Sequence, residues 1–241
     1  MEKITVRKIK KNYAVTEAFR SIKTNLRFCG KDKKVIVITS CTPNEGKSSV
    51  SMQLAMSLAE DGLKVLLIDA DLRKSAMRMR FMTGGENIRG LTHYLSEQCS
   101  LTDSICVTDI PDFSIIFSGP TPPNPPELLR TKRFQELLAA ARKVYDYVLI
   151  DTPPLGSVID SAVISEFCDG AIMVIANGVI SYRFAQENKK QLEKSNCPVL
   201  GAILNKVNTR GNAYGKYYGK YYGKYYGNDN KKTGLRRTIG V

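Results

Sequence analysis

Apolar residues along this chain fall into short continuous runs separated by stretches of helical spacing. The runs KVIVITS (34–40), KVLLIDAD (64–71), FSIIFSG (113–119), YDYVLIDTPP (145–154), GAIMVIAN (170–177) and PVLGAILNKV (198–207) are rich in β-branched residues and show no polar alternation. That pattern belongs to strands covered on both faces. Residues 47–60, 126–144 and 182–195 between them read as helices. Strand and helix in alternation predict an α/β fold: a doubly wound parallel sheet with helices on both faces and ligands at the carboxyl ends of its strands. Ahead of the first run, AVTEAFRSIKTNLRF places Val15, Phe19, Ile22 and Leu26 on one helical face and Glu17, Arg20, Lys23 and Arg27 on the other.

The 241 residues, 43% of them hydrophobic, suit one sizeable domain. We expect a basic N-terminal segment over 1–13, the domain over 14–207 and a tail over 208–241. The tail changes the picture most. Residues 216–227 read KYYGKYYGKYYG, and seven of the twelve tyrosines, Tyr214, Tyr217, Tyr218, Tyr221, Tyr222, Tyr225 and Tyr226, lie in the last thirty residues. A repeat this short and glycine-rich cannot bury enough apolar area to order itself, so it predicts a flexible display of tyrosine hydroxyls. Charge follows the same division. Residues 1–34 carry eleven Lys/Arg against three acids, residues 206–241 nine against one, and the middle sixteen against nineteen. Basic ends suit nucleic acid, an anionic membrane surface or an acidic face of another subunit. The start, MEKITVRKIKKNY, has no apolar stretch of signal-peptide type, and no run approaches a membrane span, so a cytoplasmic location is expected. Six cysteines without C-x-x-C or Cys/His spacing predict reduced thiols and no metal cage.

The candidate chemistry begins where the first run enters CTPNEGKSS and then a helix, the setting of a phosphate-binding loop and of a P-loop NTPase fold. There, successive backbone N–H groups and the helix N-terminus surround an anion, Lys47 reaches the outer phosphates and Ser48 ligates a divalent cation. Asn44, Glu45, Gly46, Lys47, Ser48 and Ser49 are therefore the candidate nucleotide-binding residues, although Cys41 stands where the usual first glycine would be and Pro43 removes a donor. VLLIDADLR and YVLIDTPP bring Asp69, Asp71 and Asp151 to the same sheet edge. Carboxylates there offer the oxygen ligands that Mg2+ needs and a proton acceptor for an incoming nucleophile. Ser48, Asp71 and Asp151 are the candidate metal ligands; Lys47, Asp69 and Asp71 are the candidate catalytic groups. Asn205 in LNKV sits where such folds often contact the purine.

In this order, EAFRSIKTNLRF, EGKSS, VLLIDADLRKS, GPTPPNPPELL, YDYVLIDTPP and the tyrosine-rich end resemble the bacterial tyrosine kinases of capsular and extracellular polysaccharide synthesis, in their separate cytoplasmic form. The resemblance implies ATP and Mg2+, autophosphorylation of the tyrosine cluster, and a ring-shaped homo-oligomer in which one subunit's tail enters its neighbour's site. It also implies a transmembrane adaptor of the polysaccharide co-polymerase type that recruits the kinase to the inner face of the membrane, a cognate tyrosine phosphatase, and no nucleic-acid partner. Glu17, Arg20 and Lys23 match the helix that the family uses between subunits, with Lys23 where arginine is usual. Ser75 departs too, since proline commonly follows DLRK, a change expected to affect a turn only. Phosphate on all seven tyrosines would add roughly −10 to −14 to a tail that starts basic. Two other readings share parts of this pattern. One is a P-loop ATPase of the partition or division-positioning class, whose signature lysine is Thr42 here; the other is a passive tail binding nucleic acid or polysaccharide.

Overall fold

The computed structural model describes residues 1–7, 13–84 and 87–208. The chain divides into Met1–Asn205 and Lys206–Val241, and every element below belongs to the first unit. In chain order these are β1 (Glu2–Val6), α1 (Tyr13–Phe28), β2 (Val35–Ser40), α2 (Lys47–Ala59), β3 (Val65–Asp69), α3 (Met77–Phe81), β4 (Met82–Thr83), α4 (Leu91–Leu95) and α5 (Leu101–Ser104). There follow β5 (Cys106–Thr108), β6 (Phe113–Ile116), α6 (Pro125–Leu129), α7 (Lys132–Val144), β7 (Tyr147–Asp151), α8 (Asp160–Ser165), β8 (Gly170–Ala176), α9 (Tyr182–Lys194) and β9 (Val199–Asn205).

The nine strands form a sheet in the order β4-β1-β5-β6-β3-β7-β2-β8-β9. From β6 to β9 every neighbouring pair is parallel. Side chains alternate across the sheet, so each central strand feeds two cores. Val35, Val37, Leu66, Ile68, Val148 and Ile150 face α7 and α8 through Phe134, Leu137, Leu138, Val163 and Ile164. Ile36, Ile38, Val65, Leu67 and Leu149 face α2 through Val50, Leu54 and Leu58, with Leu26 of α1 in the same cluster. Continuous apolar runs are what two covered faces require.

The far edge departs from the expected all-parallel pattern. β5 pairs antiparallel with β6, and β1 joins β5 in parallel while β4 pairs antiparallel with β1. The basic segment expected over 1–13 thus contributes strand β1, whose Ile4 and Val6 are buried between exposed neighbours. The helix expected over 126–144 is two helices. Thr131 is extended (φ −61°, ψ 154°), and its hydroxyl donates to the Leu128 carbonyl, closing α6 before α7 starts.

Asp169 fastens the opposite end of the sheet. Its Oδ2 accepts from the N–H groups of Lys34 and Val35, at 2.9 and 2.7 Å, and from Arg142 Nη1 of α7 at 2.7 Å. Burial pushes its carboxyl up, but Arg142 and the two N–H groups outweigh burial and hold it below the ordinary value. A depressed folded-state pKa contributes stability above the unfolded value near 3.9 and loses it as pH falls through the folded one. Asp169→Asn should therefore lower the unfolding free energy by about 1–3 kcal/mol at pH 7, with the gap from the parent closing below about pH 4. Urea denaturation at both pH values checks this.

Candidate phosphate-loop site

The site forms because β7 lies between β2 and β3, with Asp69 and Asp151 as register partners at the carboxyl ends of adjacent strands. β2 delivers the loop 41–46 and α2 starts at Lys47. Asn44 (φ 64°) and Gly46 (φ 93°) both take left-handed backbone. At Gly46 a Cβ would lie 2.2 Å from the Asn205 amide nitrogen, so only glycine fits. Cys41 is buried, and burial first, then Glu45, pushes its thiol up to about 12. It is a packing group. The close backbone approach is made instead by Gly156, where a Cβ would meet the Cys41 carbonyl at 2.4 Å.

Around the loop the candidate carboxylates are each held differently. Asp71 accepts from the N–H groups of Arg73 and Lys74 on Oδ1, at 3.3 and 3.1 Å, and its Oδ2 lies 3.4 Å from Lys47 Nζ. Lys47 Nζ is also 3.4 Å from Ser48 Oγ. Asp151 is 1% exposed and accepts from Ser51 Oγ at 3.0 Å. Burial raises its pKa, with Lys47 and the hydroxyls of Ser48 and Ser51 opposing. Asp69 is equally buried, one oxygen accepting from the Ser75 hydroxyl and Oδ1 without a partner. Burial, reinforced by Asp151, pushes it up to about 7 against the pull of Ser75. The structure thus brings Lys47, Ser48, Asp69, Asp71 and Asp151 to one edge. Ser49 also lies in the first turn of α2.

Other expected residues take different places. The Glu45 side chain is 1% exposed, its carboxylate engaged by Thr42 and by the Ala176 N–H. Asn205 donates from its amide to the Glu45 carbonyl at 2.9 Å, in contact with the loop. Glu17 and Arg20 pair with each other on α1, Arg20 largely exposed. Lys23, expected on the polar face, is 8% exposed and donates to the Ser57 carbonyl at 3.0 Å and to Asp61 at 2.7 Å, because α2 packs over that side of α1. Ser75 does more than shape a turn, since its hydroxyl contacts Asp69 and also accepts from Met77 N–H. Tyr214, Tyr217, Tyr218, Tyr221, Tyr222, Tyr225 and Tyr226 lie outside the described residues.

Sequence reading missed three contributors. Ser51 stands four residues after Lys47, a spacing that puts both on one helical face. Arg73 forms a two-pronged pair with Asp160 at 2.8 and 3.0 Å, bracing the turn after β3 against α8. Thr42 contributes its N–H and hydroxyl to the loop's internal bonding.

Loop, helix, lysine and strand-end carboxylates together define a P-loop protein of the nucleotide-binding α/β class. An AAA domain family matches residues 33–192 of the chain. The tyrosine-protein kinase CpsD of Streptococcus agalactiae serotype III (strain NEM316) is 45% identical over 201 residues, 83% of this chain and 86% of that one. The kinase domain of Escherichia coli tyrosine kinase ETK superposes with a TM-score of 0.77 at 32% identity, covering 86% and 85% of the two chains. The septum site-determining protein MinD of Pyrococcus horikoshii shares the fold alone, with a TM-score of 0.62 at 24% identity over 73% and 71%. The chain belongs to the AAA domain family and to the family of bacterial tyrosine-protein kinases.

Asp160 has a fully buried side chain, and Arg73 is its charged partner. Arg73→Ala should destabilise the fold by about 2–3 kcal/mol, because it strands a buried carboxylate, and the double variant with Asp160→Asn should recover part of that loss. Urea unfolding of the two variants beside the parent measures both effects.

Proposed function

We propose that this chain transfers the γ-phosphoryl group of ATP to tyrosines of its own C-terminal cluster, in trans within a ring-shaped homo-oligomer, and thereby regulates capsular or extracellular polysaccharide synthesis and export. The observation that carries the reading is Lys47 set against Asp71, with two further buried carboxylates at the same sheet edge, in a chain whose family is that of tyrosine-protein kinases.

A tyrosine hydroxyl, with an ordinary pKa near 10, needs a proton acceptor as it attacks. The new bond joins the phenolic oxygen to the γ-phosphorus, the bond from that phosphorus to the β-phosphate bridging oxygen breaks, ADP leaves, and Asp69 or Asp71 takes the phenolic proton. Lys47 stabilises charge on the transferred group. The residues present fit Mg2+. The Ser48 hydroxyl and the Asp71 and Asp151 carboxylates are hard oxygen donors, and the Asp69 oxygen left without a partner lies beside Asp151 at the same sheet edge. Among the described residues no three His, Cys, Asp or Glu side chains form a complete cage; Mg2+ needs only one or two carboxylates, with phosphates and water supplying the rest. Ser48, Asp71 and Asp151 would hold it, and when bound it neutralises charge across the phosphate oxygens.

Among the described residues no helix is long and apolar enough to cross a membrane. In this reading a transmembrane adaptor brings the cytoplasmic kinase to the membrane, and a cognate phosphatase resets the tail. Glu17 and Arg20 of α1 contribute to the subunit contact, and Lys23, engaged with Ser57 and Asp61, holds that helix against α2. Asn205 would meet the purine from beside the loop.

Intact mass spectrometry after incubation with ATP and Mg2+ should show stepwise additions, up to the seven clustered tyrosines. Lys47→Met should lower the rate by about two orders of magnitude or more. If neither the chain alone nor the chain with an adaptor's cytoplasmic segment gains phosphate, the kinase reading fails; a tail that binds nucleic acid in a salt-sensitive manner would then replace it. Phosphorylation also reverses the charge of the tail, so the oligomer should fall in mass by light scattering once fully modified. An unchanged mass would contradict that release.

A further inference from the structure

The loop that is to hold an anion contains a buried carboxylate. Glu45 Oε1 accepts from the Thr42 N–H at 2.6 Å and from the Thr42 hydroxyl at 2.9 Å, and Oε2 accepts from the N–H of Ala176, the last residue of β8, at 2.7 Å. The carbonyl of the same residue accepts from Asn205 at the end of β9. Glu45 therefore fastens the loop to the ends of two strands far away in sequence.

The composition of the loop shows why such a fastening is needed. Cys41 replaces the usual first glycine, and Pro43 has no N–H. The Thr42 N–H is already engaged by Glu45. With those two donors lost, phosphate depends more on the N–H groups that follow in the loop and on the first turn of α2, where N–H groups have no helical partner. Their direction depends on the left-handed turn at Asn44 and Gly46 on either side of Glu45. A buried charge persists only when fully hydrogen-bonded, and three donors meet that demand here.

We propose that Glu45 is a positioning residue for nucleotide: its carboxylate holds the phosphate loop in binding shape by clamping Thr42 to the carboxyl end of β8. This rests on the reading of the loop as a nucleotide site. The sign of one measurement distinguishes it from the alternatives. By electrostatics alone, removing a negative charge beside phosphates tightens binding; removing a clamp weakens it.

The experiment is calorimetric titration of the full chain with ADP, with Mg2+ and separately in chelator. It compares the parent with Glu45→Gln, which keeps length and loses charge, Glu45→Asp, which keeps charge and loses reach, and Lys47→Met. Near-UV circular dichroism confirms that each is folded. Both Glu45 variants should bind ADP about tenfold more weakly, equally with and without Mg2+, the effect of losing one well-made hydrogen bond to a charged group. Glu45→Gln binding as tightly as the parent or tighter overturns the proposal. So does a loss confined to Mg2+, which would make Glu45 act through the metal, or a loss in Glu45→Gln alone, which would make charge rather than reach decisive. If the parent binds no better than Lys47→Met, the nucleotide reading itself falls and the proposal with it.

Discussion

Two carboxylates buried side by side, Asp69 and Asp151, set the terms for the structure around them. They are register partners on adjacent strands, each 1% exposed, and each is pushed toward its neutral form by burial. Nothing about folding favours that arrangement, since desolvation and like-charge repulsion both oppose it. The surroundings answer it piece by piece: Ser51 on Asp151, Ser75 on Asp69, and Lys47 held at the edge by Asp71. Two apolar cores, one on each face, carry the cost. Unfavourable electrostatics kept in place by a well-packed scaffold cluster at functional sites.

The positions of the cores and of the site follow from one fact, the insertion of β7 between β2 and β3. Had β2 and β3 been neighbours, the phosphate loop would stand beside Asp69 and away from Asp151. With β7 between them, Ser51 of α2 reaches Asp151 while Lys47 reaches across to Asp71. The turn after β3 is then braced from the other side by Arg73 on Asp160. The loop itself is braced by Glu45 on Ala176.

Much of this was legible in the sequence because continuous apolar runs and a G-K-S after a strand are local signals. Those strands, the phosphate loop and the three aspartates could be read without coordinates. What escaped depends on partners distant in the chain. β1 is masked by its charged neighbours, although Ile4 and Val6 alternate as a strand covered on one face should; β5, at three residues, is too short for any period to show. Lys23 read as surface because the spacing of α1 says nothing about Asp61, which lies beyond the next helix. Glu45 was read from its place in a motif, whereas its role depends on a strand end 131 residues on. Arg73 and Asp160 form a pair that no local pattern could have suggested.

In the proposed function the carboxylate edge of one chain performs phosphoryl transfer to tyrosines at the basic end of another copy. The most direct test mixes two variants: a chain ending at residue 212, with its site intact and no tyrosine cluster, and a full-length Lys47→Met chain with the cluster but a disabled site. With γ-labelled ATP and Mg2+, label should appear on tyrosines of the Lys47→Met chain. Absence of label there, from a shortened chain shown to bind the nucleotide and to associate with its partner, would contradict the account.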